Sequence, residues 1–278
     1  MNTIKIEHNE IRIEGLKNKY TFLHITDTHV VLFGEGETPE RAEYEAPRAK
    51  AFTRNGIRPE DNLLQCIEYA NAHQLSGVLM TGDIVDCPSP ENIAFLESAL
   101  AKLQVPYVYM LGNHDWNYFN DYMTEYSIAH NRPLFRPFCG GDEDFHVKQI
   151  GELTFVALDN SMDDYYPGTV ERLKAVLNTA ENVIILQHVP LNSPAASAWS
   201  IKDWKRDITL GKDGIDYEEE GGTTEEIRQL MIASPSVKAI ICGHLHHSVN
   251  DPENGTIDHK FQQFLTADGI MGLFEIHG

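Results

Sequence analysis

Short apolar runs along this chain repeatedly give way to aspartate, asparagine or histidine. The clearest case is residues 77–115, GVLMTGDIVD followed by a helical pattern and then YVYMLGNHDW. Val78, Leu79 and Met80 predict a buried strand, after which Gly82 turns the chain and presents Asp83. Residues 107–111 repeat the device, and Gly112 turns into Asn113, His114 and Asp115. Between the two strands, Ser89 and Pro90 have the form of an N-cap and a first-turn proline. Ile93, Leu96, Leu100 and Leu103 then fall at helical spacing. A strand, helix, strand unit of this kind gives parallel pairing, and open α/β sheets bind ligands at the carboxyl ends of their strands.

The rest of the chain extends the pattern. Residues 3–13 and 20–26 read as strands, the second ending at Asp27, Thr28 and His29, with Asp27 and His29 on one side by alternation. Residues 33–59 form a polar connection, longer than compact folds use without a functional reason, and carry Arg41, Arg48, Lys50, Arg54 and Arg58. They read either as a solvated loop or short helices, or as a basic wall near a site. Asp61 starts a helix with Leu63, Leu64, Ile67 and Ala70 on its apolar side, closed by Gly77 as a C-cap. Residues 116–142 are aromatic and irregular. FHVKQIG and LTFVALDN predict a hairpin, residues 170–177 a helix, and NVIILQ a strand that ends at His188. A long insertion covers residues 190–222. Thr223 and Glu226 then have capping-box spacing at the head of another helix. The apolar strand 237–242 runs into Gly243, His244, Leu245 and His246, and residues 256–276 finish as strands. No linker divides the 278 residues, so a single domain, 1–278, is expected.

Composition narrows the function classes. No stretch approaches the roughly 18 apolar residues of a membrane helix, and the N-terminus lacks the pattern of a signal peptide, so a cytoplasmic protein with no membrane partner is expected. Cys66, Cys87, Cys139 and Cys242 have no paired spacing, which argues against a disulfide framework and a cysteine zinc site. A net charge of −20 disfavours nucleic acid as a partner. A phosphate substrate would need its positive charge from metal ions or a few placed Lys and Arg.

Each strand-end histidine is weak evidence when taken alone. Jointly, His29, His114, His188, His244 and His246, with Asp27, Asp83 and Asn113, collect at the one edge where such sheets place their sites. The ordered series Asp27-x-His29, Gly82-Asp83-x-x-Asp86, Gly112-Asn113-His114-Asp115, His188 and Gly243-His244-x-His246 resembles the calcineurin-like metallophosphoesterase superfamily over residues 27–246. The resemblance implies an α/β fold of four layers, an αββα sandwich of two mixed sheets flanked by helices. It also implies a pair of metal ions: Asp27, His29 and His246 on one, Asn113, His188 and His244 on the other, with Asp83 bridging. His114 would be the catalytic histidine, with Asp115 fixing its ring. An oxygen and nitrogen donor set without thiolate suits Mn, Fe or Zn. A hydroxide bridging the metals would attack phosphorus in line while His114 protonates the leaving oxygen or holds a phosphoryl oxygen. Asp86 either orients a ligand by a hydrogen bond or is a simple helix-start carboxylate. His24 reads as a core or hydrogen-bonded residue, and His247 alternates away from His246.

Departures from subfamilies sharpen the expected substrate. Protein Ser/Thr phosphatases of the superfamily carry arginine and glutamate where Cys87 and Asp115 stand, and purple acid phosphatases have tyrosine in place of Asp86 and lack His29. The remaining resemblance is to bacterial class III cyclic-nucleotide phosphodiesterases. It implies hydrolysis of a small-molecule phosphate ester, foremost a phosphodiester such as a nucleotide, over a phosphomonoester or pyrophosphate, a non-catalytic scaffold or a nuclease. In the 190–222 insertion, Trp199 and Trp204 stand beside Lys202, Lys205 and Arg206. They read either as a base-stacking wall with cations for a phosphate, or as tryptophans packed on the body.

Overall fold

The computed structural model describes residues 3–35, 37–119, 122–166, 168–211 and 223–278. Two mixed sheets form the centre. The first has β1 (Lys5–Arg12), β2 (Tyr20–Ile25), β3 (Gly77–Thr81), β4 (Tyr107–Met110) and β11 (Ile270–His277) in the order β1-β11-β2-β3-β4. All its pairings are parallel except β11 with β2. The second sheet runs β5-β6-β7-β8-β10-β9, from β5 (Phe145–Ile150), β6 (Leu153–Leu158), β7 (Val183–Leu186), β8 (Val237–Cys242), β9 (Thr256–Ile257) and β10 (Phe261–Leu265). Its two edge pairs are antiparallel and its interior is parallel.

Side-chain alternation makes the sandwich. Along β6, Phe155 and Ala157 join the core shared with the first sheet, while Val156 and Leu158 join the cluster on the opposite face. Phe22 and Phe155 meet edge to face across the sheets, with ring centroids 4.8 Å apart. Helices α2 (Pro59–Ala72) and α3 (Pro90–Leu100) belong to the shared core through Leu63, Ile67, Leu96 and Leu100. On the far side, α4 (Thr169–Leu177) and α6 (Thr224–Ala233) bury Leu173, Ile227 and Met231 against the second sheet. This is the α/β sandwich of four layers. No described helix is long and apolar enough to cross a membrane.

Several local readings are corrected. Residues 33–59, read as a loop or short helices or as a basic wall, hold one 14-residue helix, α1 (Pro39–Phe52), started by the Thr38 side chain accepting from the Arg41 N–H. Its pattern hid it: Pro47 lies inside it, and Ala49 is its one buried residue, so there is no apolar stripe to read. Gly77 does not cap α2, which ends at Ala72; it opens β3, where a Cβ would press on the Phe22 ring and the Pro106 carbonyl. The capping box does not form, because the Thr223 hydroxyl bonds Asp164 and Tyr165 instead. Residues 127–135, read as irregular, wind into a short π turn and a 3₁₀ turn. The 190–222 insertion contains α5 (Pro194–Trp204), and its residues 212–222 lie outside the described residues.

Candidate metal centre

The carboxyl ends of strands from both sheets converge on one place. Asp27 and His29 follow β2, Asp83 follows β3 and Asn113 follows β4, while His188 follows β7 and His244 and His246 follow β8. Asp27, His29, Asp83, His244 and His246 all hold positive φ, between 49° and 70°. Left-handed backbone is uncommon outside glycine and persists where the surrounding structure imposes it, most often at functional sites. The loops approach too closely for side chains at two points. Gly82 has φ of 88° with the Gly112 backbone against it, and a Cβ on Gly243 would strike Thr26 and the Asp27 carboxylate.

The donor atoms face one another. His29 Nε2 lies 3.2 Å from His246 Nε2 and 3.9 Å from Asp27 Oδ1, which is 3.3 Å from His246 Nε2. His188 Nε2 lies 3.2 Å from both His244 Nδ1 and Asp83 Oδ2. Asp83 Oδ2 is also 3.7 Å from His29 Nε2, so a single carboxylate faces both groups. Asn113 Oδ1 is buried with no hydrogen-bond partner, a costly state for an amide oxygen unless a cation takes it. Opposed ring nitrogens, an orphaned amide oxygen and two buried aspartates are a donor set that fits a pair of metal ions.

Electrostatics agree. Burial works against the Asp83 charge, but the His188 and His114 imidazoles hold its carboxyl well below the usual range. His188 shows the converse: burial opposes its charge, yet Asp83 pushes it up to about 10. A field that draws a proton onto a buried imidazole draws a divalent cation for the same reason. Groups behind the donors orient them. His188 Nδ1 lies 2.7 Å from the Thr81 carbonyl, the Thr26 hydroxyl donates to Asp27 at 2.6 Å, and the His244 N–H donates to Asp27 at 3.0 Å.

Asp86 takes the ligand-orienting place that was one of its two readings, and it, not Asp115, faces the His114 ring. Asp86 Oδ1 is 2.8 Å from His29 Nδ1 and 3.4 Å from His114 Nδ1, so it faces both rings. Asp115 does not reach the His114 ring. Its carboxylate accepts from the N–H groups of Asp83, Ile84, Val85 and Gly112 and from the Tyr109 hydroxyl, at 2.7–3.1 Å. Burial and the adjacent Asp83 charge push that carboxyl up to about 7, against the pull of the Gly112 and Val85 N–H groups. Asp115 therefore ties the GDIVD loop to the GNHD loop. His114 is held in turn by its N–H, which donates to Asp83 Oδ1 at 2.8 Å.

The insertions close over this floor. From α1, Arg48 grips Asp86 with two hydrogen bonds of 2.7 and 2.6 Å, and Phe52 stacks on the His29 ring at 3.8 Å. Sequence spacing singled out neither role; Arg48 stood only among the basic residues of the connection, and a polar helix gives no signal of what it will cover. The resulting cleft, about 400 Å³, is lined by Asp83, Asn113, His114, His244 and His246 at its base. Tyr118, Phe119, Tyr122, Trp204, Arg206 and Ile208 stand around it. The two insertion tryptophans part company: Trp204 lines the cleft, while Trp199 stacks on His247 at 4.2 Å and packs on the second core. His247 also pairs with Asp203, and His24 is a buried residue bonded to Thr81 and Thr266.

Comparisons with known proteins point the same way. The sequence profile of the calcineurin-like phosphoesterase family matches residues 20–248. A 3',5'-cyclic-nucleotide phosphodiesterase of Nostoc sp. is 25% identical over 212 residues, 71% of this chain and 68% of that protein. The 3',5'-cyclic adenosine monophosphate phosphodiesterase CpdA of Escherichia coli K12 is 23% identical over 186 residues, 66% of this chain and 58% of its own length. Among solved structures, a dimetal phosphatase from Danio rerio superposes with a TM-score of 0.53 at 16% identity, covering 90% of this chain and 88% of the other. A purple acid phosphatase from yellow lupin gives 0.51 at 11% identity, covering 92% of this chain and 44% of that one. At such identities the solved structures speak for the fold.

Proposed function

Because the chain belongs to the calcineurin-like phosphoesterase family, and is thereby a metal-dependent phosphoester hydrolase, we propose that it cleaves a phosphodiester of a small molecule, with a nucleotide as the substrate class. The observation that carries the two-metal chemistry behind this is the sharing of Asp83, whose Oδ2 faces His188 on one side and His29 on the other. In this reading Asp27, His29 and His246 would hold one ion, Asn113, His188 and His244 would hold the second, and Asp83 would serve both. The donors suit Mn, Fe or Zn. When bound, such a pair supplies an activated water near neutral pH and neutralises charge on phosphoryl oxygens.

The chain's own groups do the rest. His114 has its Nδ1 turned toward Asp86, which leaves Nε2 to hold a proton for the departing ester oxygen. Arg48 and Asp86 hold the His29 ring in place, and Asp115 holds the two loops. Phosphodiester cleavage is supported by the names of the sequence relatives, cyclic-nucleotide phosphodiesterases of two bacteria. The four thiols are unpaired and buried, which supports a reducing compartment such as the cytoplasm, and the net charge of −20 speaks against nucleic acid as the substrate.

The test is hydrolysis by protein reconstituted with Mn, Fe or Zn, comparing bis-p-nitrophenyl phosphate with p-nitrophenyl phosphate. The diester is expected to be turned over at least as well as the monoester. A preference for the monoester of more than tenfold overturns the diesterase reading, and its retention without any metal overturns the metal centre.

A further inference from the structure

Arg206 stands apart from the other arginines. Arg12, Arg41, Arg48, Arg54, Arg58, Arg132, Arg136, Arg172 and Arg228 each lie within ion-pair distance of a carboxylate. Arg206 has no such partner among the described residues, in a chain with 42 acidic side chains and a net charge of −20. It is also an exposed residue on the wall of the metal cleft. Asp163, on the same cleft wall, feels the Arg206 charge but lies beyond ion-pair distance; a guanidinium with no paired carboxylate among the described residues, at the lip of a phosphate-ester site, is placed for an anion that arrives with the substrate.

The segment bearing it is built rather than loose. Lys205 ends α5 in the left-handed conformation, with φ of 60°. Buried Ser200 then holds the turn from both sides, its hydroxyl donating to the Arg206 carbonyl at 3.0 Å and accepting from the Ile208 N–H at 2.8 Å. Asp207, the nearest acid in sequence, is engaged elsewhere. It accepts from Asn192 Nδ2, the Thr209 N–H and hydroxyl, and the Ser197 hydroxyl. The loop thus turns its own carboxylate inward and leaves the guanidinium outward.

Beside it lies an aromatic surface. Trp204, Phe119 and Tyr122 are 48%, 69% and 49% exposed, and all three line the same cleft. Large apolar rings exposed together around a pocket mark a binding surface. The Trp204 ring centroid is 6.4 Å from that of His246, so this wall begins next to the metal centre. No hydrogen bond or ion pair ties Arg206 to any donor of the cluster among the described residues, which places it in the wall and not in the floor.

Resting on the phosphodiesterase reading above, we propose that the Trp204 and Arg206 wall selects a nucleoside ester that carries a second phosphate: the base stacks on the exposed rings and the extra phosphate meets Arg206. Stacking of a base on an aromatic ring contributes about 1–3 kcal/mol, and a guanidinium–phosphate contact is charge-assisted and two-pronged.

Three esters with the same leaving group decide it: methyl p-nitrophenyl phosphate, thymidine 5'-(p-nitrophenyl phosphate), and the latter bearing a 3'-phosphate. Metal-loaded wild type should rank them in rising kcat/KM in that order. Arg206→Gln should reduce the advantage of the 3'-phosphate about tenfold or more relative to the other two esters. Trp204→Ala should lower both nucleoside esters relative to the methyl ester by about fivefold or more. An Arg206→Gln loss equal on all three esters, at unchanged melting temperature, puts Arg206 on the reacting phosphate and overturns the proposal, as does a wild type indifferent to the 3'-phosphate. If no ester is hydrolysed the phosphodiesterase reading fails, and calorimetry decides the wall separately. Adenosine 3',5'-bisphosphate should bind more tightly than adenosine 5'-monophosphate, and Arg206→Gln should abolish the difference; equal binding of the two overturns the wall.

Discussion

Asp83 is the residue on which most depends, since its carboxylate faces both halves of the donor set. Asp83→Asn keeps the shape and removes the charge that lets two cations sit together, so metal content by elemental analysis should fall well below two ions per chain, with activity near background. Full occupancy with normal turnover would refute the shared role. His114 is a different case, because it neighbours Asn113 and meets Asp86. His114→Ala should keep both metals and slow an alkyl or nucleoside ester by roughly 10²–10⁴. A nitrophenyl ester, whose leaving group departs unaided, should slow much less; equal losses would assign His114 to the phosphoryl oxygens instead. Asp115 is structural by its five donors. Asp115→Asn would turn an NH₂ group toward backbone N–H groups, and urea unfolding should show a loss of about 3 kcal/mol. A fall in kcat with stability unchanged would return Asp115 to the chemistry.

At the scale of elements, α1 has the largest effect for the weakest sequence signal. It is a polar helix with Ala49 as its one buried residue, yet Arg48 and Phe52 at its end reach Asp86 and His29. Groups that orient a metal-binding histidine typically change metal affinity by about 10- to 100-fold. Arg48→Met, which keeps the apolar stem and removes the grip on Asp86, should weaken metal binding by that order in a chelator competition assay. Unchanged affinity would reduce α1 to a cover. The strand, glycine, ligand units behave differently, since each is local: the apolar run buries, the loop turns, and the donor emerges at the edge.

For the whole molecule, the donors come from both sheets. Asp27, His29, Asp83 and Asn113 follow strands of the first, and His188, His244 and His246 follow strands of the second. Metal ions there would pin the two sheets together at their carboxyl ends, and binding that favours the folded state stabilises it by mass action. At a metal concentration about 100-fold above Kd the gain is about 3 kcal/mol, so Tm should rise by roughly 6–12 °C for a chain of this size. A melting temperature indifferent to chelator would mean that the sheets hold the site without help from the ions.

What the amino-acid sequence determined by itself was the local grammar. Apolar alternation and runs located β2, β3, β4, β7 and β8, and each ends in residues whose types suit a metal, because burial and ligand chemistry are both written into neighbouring positions. What only the tertiary structure decided was which of those ends meet, and who stands behind them. Asp86 rather than Asp115 faces His114 because the Asp115 oxygens are engaged by four backbone N–H groups and a tyrosine, a matter of backbone path that no spacing reveals. Trp199 and Trp204 are five residues apart and equally aromatic, but the axis of α5 sends the first to His247 and the second to the cleft. Arg48 covers Asp86 across 38 residues of sequence. Such pairings depend on where packed elements come to rest, and a pattern of polarity carries information about burial, not about partners.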